Sequence, residues 1–336
     1  MGKQKKRQAE KQSFTVSQNE EELNKKYNLY QDAVQSPKGD ISWFLKFFRQ
    51  YVGGRPPRHL REDFCGTALV CVTWCKGDVF RSAVGLDLDP EPLQWGMRNN
   101  AAQLGGSAPR QLCLLQCNVL DDPAAASEIP HPAEPSSSPC SEPDSNPKPA
   151  LEAEDSSEGL DVRSRPADIV CALNFGVCLL HQRSELLRYF QRVRAALSPE
   201  GGIFVADLLG GHAAEAPVKL PRQNAVTGLH YVWEQGTFNP VTRHVNGYIS
   251  LKCPQTKQVL KHAFSYHWKL WTILDVVELL LQAAFASTHV WEADEEAEGS
   301  EADEADFVPY TAALAADAGM LQLLSRGWTA YIVAVT

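Results

Sequence analysis

The sequence predicts an α/β fold: a mainly parallel sheet flanked by helices, with an antiparallel section after the fifth strand. Three observations carry this. Apolar runs of strand length alternate with amphipathic stretches at helical spacing, turns containing Gly or Pro punctuate the alternation, and between 228 and 269 the pattern changes to strand-like stretches alone. At 336 residues, 44% of them hydrophobic and 22% charged, the chain can bury one large core or two small ones.

Residues 41–48 read as a helix, and the turn Gly53-Gly54-Arg55-Pro56-Pro57 leads into a short strand ending near Leu60. A helix opens over 68–74. Residues 83–87 make a second strand ending on Asp87, and the helix over 90–104 carries Pro90 in its first turn, where a missing N–H costs nothing. The third strand is 112–117 and the fourth 168–175. Leu186, Leu187, Phe190, Val193 and Leu197 trace one helix face, with Arg183, Arg188, Arg192 and Arg194 largely outside it. The turn Pro199-Glu200-Gly201-Gly202 leads to a fifth strand over 203–209. Strand-like stretches at 230–233, 244–249 and 259–268, separated by turns at Asn239-Pro240 and Cys253-Pro254, read as an antiparallel β lid over 228–270. Thr272 and Asp275 fit a capping box that opens a helix to 284, and 328–335 is the last strand. Such sheets are covered on both faces and bind ligands outside the carboxyl ends of their strands, at the switch point.

The formal net charge of −9, from 32 basic and 41 acidic residues, argues against a nucleic-acid coat protein. It is unevenly spread. Residues 121–165 hold eleven acids against three bases and 292–306 hold nine acids and no base, so the remaining body is net positive. The stretch 122–166 is dominated by Pro, Ser, Ala and acids, which cannot bury enough surface to offset ordering entropy. It reads as a disordered insertion within one domain over 23–336, because the strand and helix alternation resumes beyond it. Residues 292–306 read as a second solvated insertion, and 1–22 as a disordered basic tail.

No run of about 18 apolar residues exists, and the N-terminus lacks the apolar core of a secretory signal, so no membrane partner is expected. Nine cysteines scattered through apolar stretches suit reduced thiols and a cytoplasmic location. Lys5-Lys6-Arg7 permits a nuclear-signal reading, although a solvated tail explains it better. A zinc site can be drawn from Cys71, Cys75, Cys113 and Cys117, but structural zinc prefers close cysteine pairs on turns, so buried thiols and no metal are expected.

The chemistry concentrates in Leu60-Arg61-Glu62-Asp63-Phe64-Cys65-Gly66-Thr67-Ala68, a strand turning tightly into a helix, with Asp87 ending the next strand 21 residues after Gly66. An open backbone turn beside a carboxylate at the neighbouring strand tip is how a Rossmann-like sheet holds a nucleoside, the carboxylate accepting from ribose hydroxyls. A dinucleotide site would call for three glycines in G-x-G-x-x-G, and only Gly66 is present.

These residues resemble the motifs of class I S-adenosylmethionine-dependent methyltransferases, and the resemblance covers roughly 27–292 and the last strand. The segment from Glu62 to Ala68 can be laid on the family's first motif, with Phe64 and Ala68 departing from it at two glycine positions. The resemblance implies a seven-stranded Rossmann-like sheet and S-adenosylmethionine as cofactor. It assigns Glu62, or Asp63 in its stead, to the methionine end, with Phe64, Cys65, Gly66 and Thr67 as the turn. Gly85-Leu86-Asp87-Leu88 resembles the second motif, with Asp87 as ribose ligand and Leu88 beside the adenine. Cys117-Asn118-Val119 resembles the third, placing Asn118 near the adenine amino group and Val119 against the ring, and the stretch from Asp168 to Asn174-Phe175 resembles the fourth. Tyr27 and Tyr30 resemble tyrosines that close over the cofactor, and an i, i+3 packing pair explains them equally well.

Methyl transfer is an in-line displacement that needs alignment and exclusion of water, and a general base only where the acceptor is protonated. Asp207, near the tip of the fifth strand, and His181, after the fourth, are the candidate bases; a helix-start histidine at the surface is the plainer reading of His181. Tyr231, Trp233 and the run Phe264-Ser265-Tyr266-His267-Trp268 put aromatic bulk in the lid, which would suit a flat or cationic acceptor, though strand packing explains at least half of it. Three classes stand: a methyltransferase for a small-molecule acceptor, which the lid favours; one for RNA or protein, which the basic tail and arginine-bearing helix permit; and a non-catalytic nucleoside-binding protein.

Overall fold

The computed structural model describes residues 20–132, 161–224, 229–253, 257–293, 307–309 and 327–336. A helix over 20–34 (α1) leads to α2 (Pro37–Tyr51), β1 (His59–Asp63), α3 (Leu69–Lys76), β2 (Ser82–Asp87) and α4 (Pro90–Asn99). Then come α5 (Ala108–Gln111), β3 (Leu112–Gln116), β4 (Ser127–Glu128), β5 (Ile169–Ala172), α6 (Arg183–Ala196), β6 (Ile203–Gly211) and α7 (His212–Glu215). The chain continues through β7 (Val218–Gln223), β8 (His230–Gln235), β9 (His244–Lys252), β10 (Val259–Lys269), α8 (Ile273–Gln282), β11 (Ser287–Ala293), β12 (Phe307–Pro309) and β13 (Gly327–Val335).

Among the described residues the main sheet runs β12-β11-β13-β6-β5-β1-β2-β3-β4, and a second, antiparallel sheet runs β10-β9-β8-β7. The pairs from β3 through β2, β1 and β5 to β6 are parallel, and β13 and β11 close the far side antiparallel. This is the expected mainly parallel α/β sheet with an antiparallel addition after the fifth of its long strands. Two short edge strands, β4 and β12, extend the expected seven.

β1 continues three residues past the end expected at Leu60. His59, Arg61, Glu62 and Asp63 are polar, so an apolar run cannot register them, yet all are buried between β2 and β5. Burying them requires partners. Arg61 Nε lies 2.7 Å from Asp63 Oδ1, the Tyr189 hydroxyl donates to Asp63 Oδ2 at 2.9 Å, and Asp168 Oδ2 accepts from the backbone N–H groups of Arg58 and His59.

On one face of the sheet α2 buries Ile41, Phe44, Phe47 and Phe48, and α3 buries Val70, Trp74 and Cys75, in one apolar cluster. On the other, α6 packs Leu186, Tyr189, Phe190 and Val193 at i, i+3, i+4 and i+7, joined by Leu279 and Leu280 of α8. The Thr272 and Asp275 capping box forms as expected. α1 lies on the second sheet through Ala33, which clusters with Ile249 and Leu251.

Several expected boundaries move. The lid sheet begins at Val218, ahead of 228, because β7 pairs with β8 in a strand whose residues are mostly exposed and carry no apolar signature. Both ends of the insertion expected over 122–166 are packed: Ile129 and Val162 are buried, and Arg163 donates to the carbonyls of Pro123 and Ala126, tying the two ends together. Glu292, expected in an acidic insertion, is a buried residue of β11, and residues 20–22 of the expected tail belong to α1. Residues 1–19, 133–160 and 294–306 of those expected disordered stretches lie outside the described residues. Among the described residues no helix is long and apolar enough to cross a membrane.

Candidate active site

A cleft of 630 Å³ opens at the carboxyl ends of β1, β2, β3 and β5. The chain steps from β1 to β2 on one side and reaches β5 on the other, so the cleft lies at the switch point of the sheet. α1 and β10 cover it, contributing Lys26, Tyr27, Tyr30, Phe264, Tyr266 and Trp268.

The turn after β1 is built from left-handed residues. Phe64, Gly66 and Ala68 have φ of 60°, 52° and 55°. The two positions that depart from the glycine pattern therefore keep a backbone that glycine adopts without cost, and the fold holds Phe64 and Ala68 there against roughly 1–2 kcal/mol each. At Gly66 an added Cβ would meet nothing within 4 Å, because the turn faces the open cleft. Asp87 fixes it: Oδ2 accepts from Gly66 N–H at 2.8 Å and Oδ1 from Asp89 N–H at 2.9 Å. Burial raises the Asp87 pKa and the two N–H groups pull it back. Thr67 is held through its carbonyl, which accepts from Asn100 Nδ2 at 2.8 Å and presses on Gly96, and through its hydroxyl, which accepts from Gln31 Nε2 at 2.7 Å.

Of the residues expected to bind a cofactor, Tyr30, Phe64, Cys65, Gly66, Thr67, Asp87, Leu88, Asn118, Val119 and Asn174 line the cleft. Asn118 Oδ1 already accepts from Leu120 N–H at 3.0 Å, which leaves its amide nitrogen as the group to present. Two others are corrected. Glu62 is buried below the turn, where Oε2 accepts from Cys71 N–H at 3.1 Å and burial pushes its pKa up to about 8. Asp63 is fully buried and belongs to the Arg61 and Tyr189 network. Pairing along β1 sends both away from the cleft.

Neither candidate base lines it either. Asp207 Oδ1 accepts from Phe175 N–H at 2.7 Å, bracing the turn after β5, and burial pushes its pKa up to about 7. His181 turns toward the lid sheet, with Nε2 2.9 Å from the His267 carbonyl.

The lid side is a wall of rings. Tyr30 meets Phe264 at 4.2 Å between centroids, Tyr266 stacks on Trp268 at 4.8 Å, and Trp268 meets Trp233 at 5.4 Å and Phe175 at 5.3 Å. Alternation along β10 sends Phe264, Tyr266 and Trp268 into the cleft, so this part of the aromatic run is lining and not only core. Sequence reasoning missed Lys26, Leu179 and Glu185. The first sits on a helix with no catalytic motif, and the other two enter only through the fold-back of the segment after β5.

No family model and no curated protein matches the chain. Solved structures do. An S-adenosylmethionine-dependent methyltransferase from Clostridium acetobutylicum aligns over 93% of this chain and 98% of its own at 13% identity and TM-score 0.51. The S-adenosylmethionine-bound amino pentose methyltransferase CalS10 from Micromonospora echinaspora aligns over 91% and 94% at 12% identity and TM-score 0.50. CcbJ, a methyltransferase from Streptomyces caelestis, aligns over 90% and 89% at 12% identity and TM-score 0.50. The chain has the class I S-adenosylmethionine-dependent methyltransferase fold.

Proposed function

We propose that the chain is an S-adenosylmethionine-dependent methyltransferase whose acceptor is a small molecule bearing an amine. The observation that carries this is the Asp87 carboxylate at the tip of β2, bonded to Gly66 N–H in a left-handed turn that faces the cleft. The lining fits the cofactor. Asp87 retains lone pairs for ribose hydroxyls, Leu88 and Val119 offer apolar surface to a purine, and the Asn118 amide supplies a donor. When bound, the cofactor supplies the electrophilic methyl on its sulfonium.

The chain's own residues position and dehydrate. α1 crosses the turn through Gln31 and Thr67, and Tyr30 with the β10 rings covers one side of the cleft, where they would exclude water once cofactor and acceptor are bound. At 630 Å³ the cleft has the size of a small-molecule site, about 300–1,000 Å³, which the cofactor would share with its acceptor. The amine reacts through the lone pair of its neutral form, and the ring faces attract the positive charge that develops on its nitrogen as it takes the methyl. CalS10, an amino pentose methyltransferase, is consistent with such an acceptor.

Calorimetry with S-adenosylmethionine tests the reading. Wild type binds, and Asp87→Ala binds about a hundredfold more weakly, as expected for losing charge-assisted hydrogen bonds of about 1.5–3 kcal/mol each. No binding by the wild type sinks the proposal. Incubating cell extract with methyl-labelled cofactor then assigns the acceptor: label in small amines supports the reading, and label confined to protein or RNA overturns the small-molecule part.

A further inference from the structure

Away from the cleft, three histidines from distant parts of the chain meet at the seam between the body and the lid sheet. His181 precedes α6, His244 opens β9, and His267 lies in β10. Their ring centroids are 4.6, 4.9 and 5.0 Å apart, and one ring nitrogen of each lies within 4.8 Å of the other two. Alternation along β10 explains the placement: Trp268 faces the cleft, so His267 faces away from it, and the β9 and β10 register brings His244 to the same patch.

Two of the six ring nitrogens have oxygen partners of the kind that orient a metal-binding imidazole. His181 Nε2 lies 2.9 Å from the His267 carbonyl oxygen, and His267 Nδ1 lies 2.7 Å from Asn246 Oδ1. Oxygen acceptors hold those two nitrogens as N–H donors, which leaves a lone pair on the other nitrogen of each ring; this is the outer-shell arrangement that orients metal-binding imidazoles. His244 Nε2 is buried with no hydrogen-bond partner among the described residues. The Lys269 ammonium is directed elsewhere, donating to the His181 carbonyl at 3.1 Å and lying over the Trp271 ring at 3.9 Å.

We propose that His181, His244 and His267 bind a divalent transition ion of the zinc class, fastening the lid sheet to the segment between β5 and α6. Three neutral imidazoles suit zinc, copper or nickel and are a poor match for calcium or magnesium. Coordination at about 2.0–2.1 Å draws the three nitrogens to about 3.3 Å from one another, a closure of about 1 Å or more within reach of side-chain rotation. The exposure of His267 leaves a fourth position to water. Leu180 and Trp268, the neighbours of His181 and His267, line the cleft, so a bound ion would steady its lid side. No metal is expected from the sequence because the three ligands are spread over 86 residues, with no short motif to mark them.

The test is zinc and cobalt titration of the full-length protein stripped with chelator, with His244→Gln and His267→Gln beside it. Expected are one ion per chain after dialysis, visible cobalt absorption of a low-coordinate nitrogen site, and a raised melting temperature with zinc. Each variant should weaken binding at least tenfold and lose the thermal shift. His267 is exposed, so its variant should fold, and melting temperature without metal checks that it does. Absence of binding by the wild type at micromolar zinc overturns the proposal, and so does equal binding by folded variants, which would place the ion elsewhere. Neither readout depends on methyl transfer.

Discussion

On the strand-tip side of the cleft the turns are fixed by hydrogen bonds between side chains and backbone, as Asp87 fixes Gly66 and Asp89 and Asn118 fixes Leu120. On the lid side the lining is rings from α1 and β10, backed by Trp233 of β8, with a Tyr266 to Tyr30 hydroxyl contact at 3.4 Å among them. The first arrangement is directional and specifies one geometry. The second is held by area and ring contacts, which tolerate exchange of size and shape. A site with an invariant ligand on one side and a changeable one on the other would be built this way.

The largest effect is expected below the strand-tip side. In Asp63→Ala the buried Arg61 loses its partner and the Tyr189 hydroxyl its acceptor. Leaving a charge buried and unpaired costs about 3–5 kcal/mol, a fall of roughly 10 °C in melting temperature for a domain of this size. A loss under about 1 kcal/mol in thermal denaturation would show that this network does not hold the strand tips.

A smaller and different effect is expected from Trp268→Leu, which removes ring contacts to Phe175, Trp233 and Tyr266. It should cost about 2 kcal/mol of stability and raise the acceptor KM, with cofactor affinity changed less than about twofold. Equal losses in both affinities would erase the distinction between the two sides.

The same contrast explains what the sequence disclosed. Asp87, Asn118 and the turn around Gly66 are legible because strand tips and tight turns occur at fixed offsets along the chain. The buried fate of Glu62 and Asp63 was not, since a charged pair next to a turn looks the same whether it faces a ligand or a core partner, and the partner Tyr189 is 126 residues from Asp63. β7 escaped because it is an exposed strand with no apolar alternation. His181 follows its expected strand while Asp207 lies inside β6, and the direction of both depends on β10 and on the turn at Phe175, which no local pattern encodes.

The carboxyls beneath the strand tips also predict a pH dependence. Burial pushes Glu62 up to about 8 and Asp207 up to about 7, so the folded chain keeps protons that the unfolded chain has released above about pH 4–5. Stability therefore falls as pH rises from that value through the folded pKa values and levels off beyond them. His59, lowered to about 4 by burial, acts in the opposite sense only up to about 6.5. Between pH 7 and 8 the expected loss is about 1 kcal/mol, read by denaturant titration, and Glu62→Gln should flatten it. A stability that rises over this interval contradicts the burial of these groups.

The smallest effect is expected from Ala68→Gly, where two terms nearly cancel. Glycine relieves a left-handed residue at φ 55°, worth roughly 1–2 kcal/mol. Against this it removes a fully buried methyl worth about 0.8 kcal/mol and adds freedom to the unfolded chain worth about 0.4–1 kcal/mol. The net change should stay within about 1 kcal/mol, and cofactor affinity should stay within about twofold, because the turn already has the glycine backbone. A marked gain in cofactor affinity would mean instead that the alanine methyl holds the turn closed, and that the strand-tip side is less fully formed than its hydrogen bonds imply.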